Sequence, residues 1–206
     1  MTDPIPINLA VEDELSEVVL RTLLRQLSQG YCIGACYRRG GFGYLRKMIK
    51  GFNNAARTVP FLVLTDLDVC QCPPVLIREW LLERDFQPNL LFRVAVHEIE
   101  SWVLAHRKAF AEFAGIQSEL IPDDVDCVSD PKQFLIGLVR NCRKRDLKND
   151  IVPARNSTAR QGPDYNGRLA RFVMNSWRYQ DALPHSESLR RAVRRLQSFR
   201  PTWVRQ

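Results

Sequence analysis

No apolar run in this chain approaches the ~18 residues that a bilayer-crossing helix requires. There is no G-x4-G-K-S/T stretch, so the chain brings no phosphate loop of the Walker type and no ATP site built on one. The N-terminal stretch MTDPIPINLAVEDE is acidic and lacks the basic and apolar regions of a signal or transit peptide. A cytoplasmic location with no membrane contact is therefore expected. Cysteine is present six times but never in paired C-x2-C spacing. Cys32 and Cys36 are four apart, Cys70 and Cys72 two apart, and Cys127 and Cys142 stand alone, with no histidine near enough in sequence to complete a finger. Reduced thiols acting as small buried hydrophobes fit this better than zinc or a disulfide framework. Internal repeats and low-complexity tracts are also missing.

What remains is a chain of 206 residues, 45% hydrophobic, long enough to bury one good core. Its net charge of +7 is unevenly spread. Residues 1–129 hold 13 Lys/Arg against 17 Asp/Glu, whereas residues 130–206 hold 17 against 6. An acidic part joined to a strongly basic one suggests a polyanion, nucleic acid above all, as partner.

Apolar patterning gives a sequence of alternating elements. IPINLAV (5–11) reads as a strand, and the helical stripe of Val18, Val19, Leu20, Leu23, Leu24 and Leu27 follows. YCIGACYRR is a second strand and GGFGYLRKMIKGFNNAAR a turn and helix. VPFLVLTDLD is a third strand, PPVLIREWLLER (73–84) a helix opened by proline, and NLLFRVAV a fourth strand running into the helix HEIESWVLAHRKAFAEFAG. This alternation predicts an α/β fold with a parallel sheet and right-handed crossovers. Helical patterns then dominate, in DPKQFLIGLVRNC, GRLARFVMNSWRYQDA and SESLRRAVRRLQSF. The stretch RDLKNDIVPARNSTARQGPDYNG between them reads as a long basic loop. Two parts are expected, an α/β unit over 1–129 and a basic helical extension over 130–206 packed on it. Trp80, Trp102 and Trp177 fall at helical spacings and are expected in the core.

In parallel α/β sheets, functional groups collect beyond the carboxyl ends of the strands. Three of those ends are acidic here: Glu12-Asp13-Glu14, Asp66-x-Asp68 and Glu98-x-Glu100. In extended backbone, residues two apart point to the same side, so Asp66 and Asp68 can face one site. Carboxylates crowded together in a dry place force protons onto one another unless a cation intervenes. Mg²⁺ and Mn²⁺ favour such oxygen ligands, and two of them ~3.5–4 Å apart can support phosphodiester cleavage. The expected ligands are Glu12, Asp66, Asp68, Glu98 and Glu100. Each acid alone has a plainer reading, as a helix cap or a first-turn acid; acids at three ends of one sheet are harder to read that way.

A glutamate after the first strand, Asp-x-Asp after a later one and an acid after the next together resemble a TOPRIM domain. Topoisomerases, primases and the nucleases of the overcoming-lysogenization-defect (OLD) family share that fold. VAVHEIESWVLA is also similar to the VAV-x-E-I/L-E-x-W-L/V-LA segment of short bacterial TOPRIM-related proteins. The resemblance spans about residues 5–110 and rests on "VE", "DLD" and "EIESW". It implies a Rossmann-like sheet, with Glu12 in metal binding or acid/base work, Asp66 and Asp68 as metal ligands, and Glu100, seconded by Glu98, as the later acid of the nuclease branch. In the family, glycine usually follows the first glutamate and an acid stands four residues beyond it. Here Asp13 replaces the glycine and Ser16 the acid, with Glu17 next, which leaves the second ligand open among Asp13, Ser16 and Glu17. The chain has no room for a topoisomerase's separate tyrosine domain or a primase's template-binding regions. A small Mg²⁺- or Mn²⁺-dependent nuclease is what the resemblance implies, in bacterial phage defence, with a separately encoded ATPase as partner.

A cation to offset charge on the phosphate is expected among Lys132, Lys144, Lys148, Arg155 and Arg160, with Lys132 and Arg155 the first choices. His97 is a candidate proton carrier or ligand, and Tyr165 a candidate substrate contact, though packing is the plainer reading of Tyr165. Arg190, Arg191, Arg194 and Arg195 form a basic stripe suited to phosphates or to a partner's acidic surface. Two other readings compete. One is a receiver-like domain with Mg²⁺ on Glu12 and Asp13 and a phosphoacceptor at Asp66, which leaves Asp68, Glu98 and Glu100 unused. The other is a non-catalytic nucleic-acid-binding subunit.

Overall fold

The computed structural model describes residues 4–68, 70–81 and 86–203. Four strands, β1 (Ile5–Val11), β2 (Tyr31–Tyr37), β3 (Phe61–Asp66) and β4 (Leu90–Ala95), form one parallel sheet in the order β2-β1-β3-β4. Helices α1 (Glu14–Gln26), α2 (Gly41–Ala55) and α3 (Pro73–Leu81) make the crossovers. The chain is thus an α/β protein of the Rossmann-like kind that the alternation predicts. Of the helix expected over 73–84, residues 82–84 lie outside the described residues.

The continuous apolar runs of β1, β3 and β4 follow from cover on both faces. Ile7, Leu9 and Val11 alternate with Ala10, and Leu62 and Leu64 with Phe61 and Val63. The first set packs under α1, through Leu15, Val19 and Leu23. The second packs under α2 and α3, through Leu45, Ile49, Phe52, Leu76 and Trp80. One local irregularity sits between β1 and β2, where the register moves from Ile7↔Ile33 to Leu9↔Cys36. The Asn8 side chain fills that bulge, accepting from the Ala35 amide at 2.9 Å. A Cβ at Gly34 would stand 2.6 Å from the same oxygen, so any larger residue there would displace the Asn8 side chain from the bulge.

Beyond β4 the chain is helical: α4 (Ile99–Ala105), α5 (Arg107–Ala114), α6 (Pro131–Arg140), α7 (Arg145–Ile151), α8 (Tyr165–Asn175), α9 (Tyr179–Ala182) and α10 (Glu187–Ser198). Three sequence expectations change. The helix expected from His97 to Gly115 is two helices meeting at His106, the helical pattern over 167–182 divides into α8 and α9, and residues 145–151, expected in a loop, form α7. Leu147 and Ile151, one turn apart and buried, give α7 its apolar face within an otherwise polar, basic stretch.

Residues from α6, α8 and α10 share the core on the α1 face of the sheet, among them Leu135, Leu169 and Val193. Trp102 and Trp177 are fully buried, and the Trp177 indole donates to the Trp102 carbonyl at 2.8 Å. Asp126 accepts from the Ser188 amide at 2.7 Å and the Ser186 hydroxyl at 2.8 Å, which ties the start of α10 to the loop after α5. No helix among the described residues is long and apolar enough to cross a membrane. All six cysteines are free thiols, but of these only Cys142 is buried as expected, and Cys32 and Cys127 are exposed.

Candidate acid cluster at the strand ends

In this strand order the chain goes one way from β1 to β2 and then returns past β1 to β3. The reversal lies between β1 and β3, the place where open α/β sheets leave a crevice at their carboxyl ends. Glu12 follows β1 directly and Asp66 closes β3, so the topology brings these two acids together. Glu12 Oε1 accepts from the Thr65 hydroxyl and from the Asp66 amide, the latter at 2.9 Å. Burial raises the pKa of Glu12, with the charges of Asp68 and Asp13 adding to it and the two hydrogen bonds opposing. Asp66 is raised well above the ordinary carboxylate range, by burial first and then by Glu100, Glu12, Asp13 and Asp68. The charges of four other acids thus converge on Asp66.

Asp68 reaches the cluster by a different route from strand alternation. β3 ends at Asp66, and Asp68 adopts a left-handed backbone with φ of 47°, a conformation aspartate tolerates better than most residues. Its amide donates to the His97 carbonyl at 3.1 Å, and the Leu67 amide to the same carbonyl at 2.9 Å. His97 thus fastens the turn after β3 through its backbone.

Glu100 is the deepest member, 1% exposed in the first turn of α4. Its Oε1 accepts from the Tyr165 hydroxyl at 2.9 Å and lies 3.4 Å from Lys132 Nζ. Its Oε2 is buried without a hydrogen-bond partner. Burial pushes the carboxyl up to about 7, although Lys132 opposes this. Lys132 itself is raised: burial works against its charge, but Glu100, Glu98, Asp13 and Asp66 more than offset that. Lys132 is held in place from an unexpected direction. Asp130 caps α6 by accepting from the Gln133 amide at 2.9 Å, and Glu98 Oε2 takes the Lys132 amide at 2.8 Å. Glu98 therefore ties α6, and with it the ammonium, to the start of α4.

The three candidates near Glu12 separate by what they already hold. Asp13 caps α1, with Oδ1 on the Ser16 amide at 2.8 Å. Ser16 is buried, and Glu17 pairs with Arg21 at 2.8 Å and Arg38 at 3.1 Å. Thr65 is not among the sequence candidates, although a hydroxyl inside an apolar strand beside an acid is a usable signal. The Tyr165–Glu100 bond joins residues 65 apart and has no local signature.

Arg155 stands apart from this cluster. It lines a groove of about 810 Å³ with Arg140 and Lys148, between α6, α7 and the loop that follows. None of these three cations has an ion pair among the described residues. Arg160 contributes its carbonyl, which accepts from Gln133 at 3.2 Å. Lys144 is spent on the carbonyls of Glu112 and Phe113, at 2.7 and 2.8 Å. Half of the α10 stripe is also engaged: Arg190 and Arg191 pair with Glu187 at 2.6 and 2.8 Å.

A pH dependence follows from Glu100. Its unfolded value of 4.5 and folded value of about 7 mean that the folded state keeps a proton the unfolded state has lost. Stability of the metal-free protein should therefore fall as pH rises through that window and level off above it, by ~3 kcal/mol at 1.36 kcal/mol per unit. Glu100→Gln should flatten the fall. Urea unfolding at pH 5 and pH 8 checks this; equal slopes in both proteins would contradict it.

No family model matches this chain, and no curated protein does. Solved structures similar to it over nearly their whole length include two from OLD proteins. One is the C-terminal region of the Burkholderia pseudomallei OLD protein, 15% identical, covering 95% of this chain and 98% of that one, with a TM-score of 0.46. The other is the C-terminal region of the Xanthomonas campestris pv. campestris OLD protein, 16% identical, covering 96% of each chain, with a TM-score of 0.40.

Proposed function

We propose that the chain is a divalent-metal-dependent nuclease that cleaves phosphodiester bonds at the acid cluster. The observation that carries this is Glu100 Oε2, a carboxylate oxygen buried without a partner beside Asp66 and its neighbouring acids. Every donor in the cluster is a hard oxygen, the kind Mg²⁺ and Mn²⁺ select. As they stand, no three His, Cys, Asp or Glu side chains among the described residues form a ready metal cage. The carboxylates of Asp66 and Asp68 carry no hydrogen bond among the described residues, so none has to be broken for them to take a metal. Glu12, Asp66, Asp68 and Glu100 would hold the metal, with Asp13 as the adjoining acid and Glu98 as a further ligand if it releases the Lys132 amide.

Bound metal supplies positive charge at the phosphate and lowers the pKa of water. The chain's own residues do the rest. Thr65 and the Asp66 amide fix the orientation of Glu12, leaving its second oxygen for the site. Glu100, pushed up to about 7 in the metal-free protein, would release its proton as it takes up the metal. Tyr165 orients it, and the Lys132 ammonium is placed to meet charge developing on a phosphate. In the metal-free protein that same ammonium, together with protons on Glu100 and Asp66, offsets the repulsion at the end of β3. The resemblance read from the sequence adds the setting, bacterial phage defence with a separately encoded ATPase. Cleavage of DNA or RNA by the purified protein in Mg²⁺ or Mn²⁺, absent in EDTA, tests the reading; no cleavage, alone or with the neighbouring gene's product, overturns it.

The nucleic-acid backbone fits the Arg140–Lys148–Arg155 groove better than the α10 stripe, because the groove's cations are unpaired and two of the stripe's are not. Removing one cation from the phosphates should reduce the slope of log affinity against log salt by ~0.7–0.9. Changing the three groove cations to glutamate should therefore flatten the salt dependence of binding by ~2–3. The same change at Arg190 and Arg191 should alter it little. The reverse order would move the binding face to α10.

A further inference from the structure

Arg93 lies in the middle of β4, on the side of the strand shared with Leu91 and Ala95. An arginine set into a sheet face is ordinarily paired with a carboxylate. Arg93 has no ion pair among the described residues, and its Nε is buried without a hydrogen-bond partner. α10 brings a second cation, Arg195, alongside it. Burial, together with the charge of Arg195, pulls the Arg93 guanidinium down to about 10. Arg195 has no carboxylate partner among the described residues either, and its guanidinium stands 5.8 Å over the Phe199 ring. Two unpaired arginines held together cost free energy that a bound anion would offset.

The two line a pocket of about 390 Å³ whose other walls include Pro88, Leu90 and Phe92. At its rim Phe86 is 50% exposed. Asn89, next to this wall, is fastened to the Thr202 backbone at 2.8 Å on both sides of its amide. Most of the lining, from Phe86 to Arg93, belongs to the amino-terminal part of β4 and the segment before it, whereas the acids follow the carboxyl ends of the strands. A guanidinium fork matches phosphate oxygens, and an exposed aromatic ring beside it offers a stacking face to a base. We propose that this pocket binds a nucleoside phosphate, its phosphoryl group between Arg93 and Arg195 and its base against Phe86. The ligand is either a free nucleotide or the phosphorylated end of an oligonucleotide. The site does not depend on metal at the acid cluster.

The experiment is binding and thermal shift in EDTA on the Asp66→Ala protein, which keeps oligonucleotides intact. The probes are inorganic phosphate, AMP, and one short oligonucleotide with a 5′-phosphate or a 5′-hydroxyl. AMP should bind and raise the melting temperature, and Arg93→Met should weaken it about tenfold or more. Arg195→Gln should act in the same direction. Tighter binding of the 5′-phosphorylated strand than of its 5′-hydroxyl twin, with the same dependence on Arg93, would assign the strand end as the source; equal binding of the two would assign the free nucleotide. Arg93→Met removes a buried unpaired charge and should fold; if it does not, the exposed Arg195→Gln carries the test. Binding indifferent to these substitutions, or no binding by any probe, overturns the proposal.

Discussion

Asp66→Ala should lose metal-dependent cleavage while melting no lower than the parent protein when both are free of metal. The two halves come from one cause. Asp66 sits among Glu100, Glu12, Asp13 and Asp68, all of which disfavour its charge, so its carboxylate destabilises the empty fold. The backbone contact that matters locally, the Asp66 amide on Glu12, survives the substitution. Activity should fall by more than about a hundredfold, the upper end of what losing a mere supporting partner of a ligand costs. Asp66→Asn separates charge from shape and should behave alike. A variant that melts normally and still cleaves at the parental rate in Mg²⁺ and Mn²⁺ would remove Asp66 from the site. A variant that is inactive because it has unfolded, seen as a lowered melting temperature, would instead mean that the Asp66 side chain stabilises the empty fold and that repulsion among the acids is not what governs it.

What the sequence discloses about this site depends on distance along the chain. The sheet is legible because FLVL, and LLF and VA on either side of Arg93, are apolar on both sides of the strand, as a twice-covered parallel sheet requires. Helix starts are legible where a capping side chain precedes them, as Asp13 does for α1, Asp130 for α6 and Ser186 for α10. α7 is not, because a seven-residue helix with two apolar positions in a polar stretch has almost no periodicity to read. The acids stand out because each follows a strand. Their partners do not: Tyr165 and the bond from Glu98 to the Lys132 amide come from elements far away in sequence, and only the packing of α6 and α8 brings them in. The α10 stripe misleads in the opposite sense. Its spacing is plain, but Glu187 on the same helix already neutralises part of it.

Millimolar Mn²⁺ or Mg²⁺ should stabilise the folded protein, and the size of the gain should depend on pH. A ligand at a hundredfold excess over its dissociation constant adds ~2.7 kcal/mol, which for a domain of this size is a rise of ~5–11 °C in melting temperature. Glu100, held near 7, must release its proton to act as a ligand, and Asp66 must do the same. Metal binding therefore competes with protons, and the gain at pH 8 should exceed that at pH 6. Mn²⁺ should do at least as well as Mg²⁺, since such ligands bind it more tightly. Asp66→Ala and Glu100→Gln should each lose most of the gain, because each removes ligand charge from the cluster. Lys132→Met should keep it or enlarge it, because the ammonium 3.4 Å from Glu100 competes with a cation for that oxygen. Differential scanning calorimetry on chelator-treated protein measures all of these together. A melting temperature indifferent to Mn²⁺ at pH 8 would mean that Lys132 and protons are the permanent counter-charges of these acids. The chain would then be read as a nucleic-acid-binding subunit, with the Arg140–Lys148–Arg155 groove as its working surface.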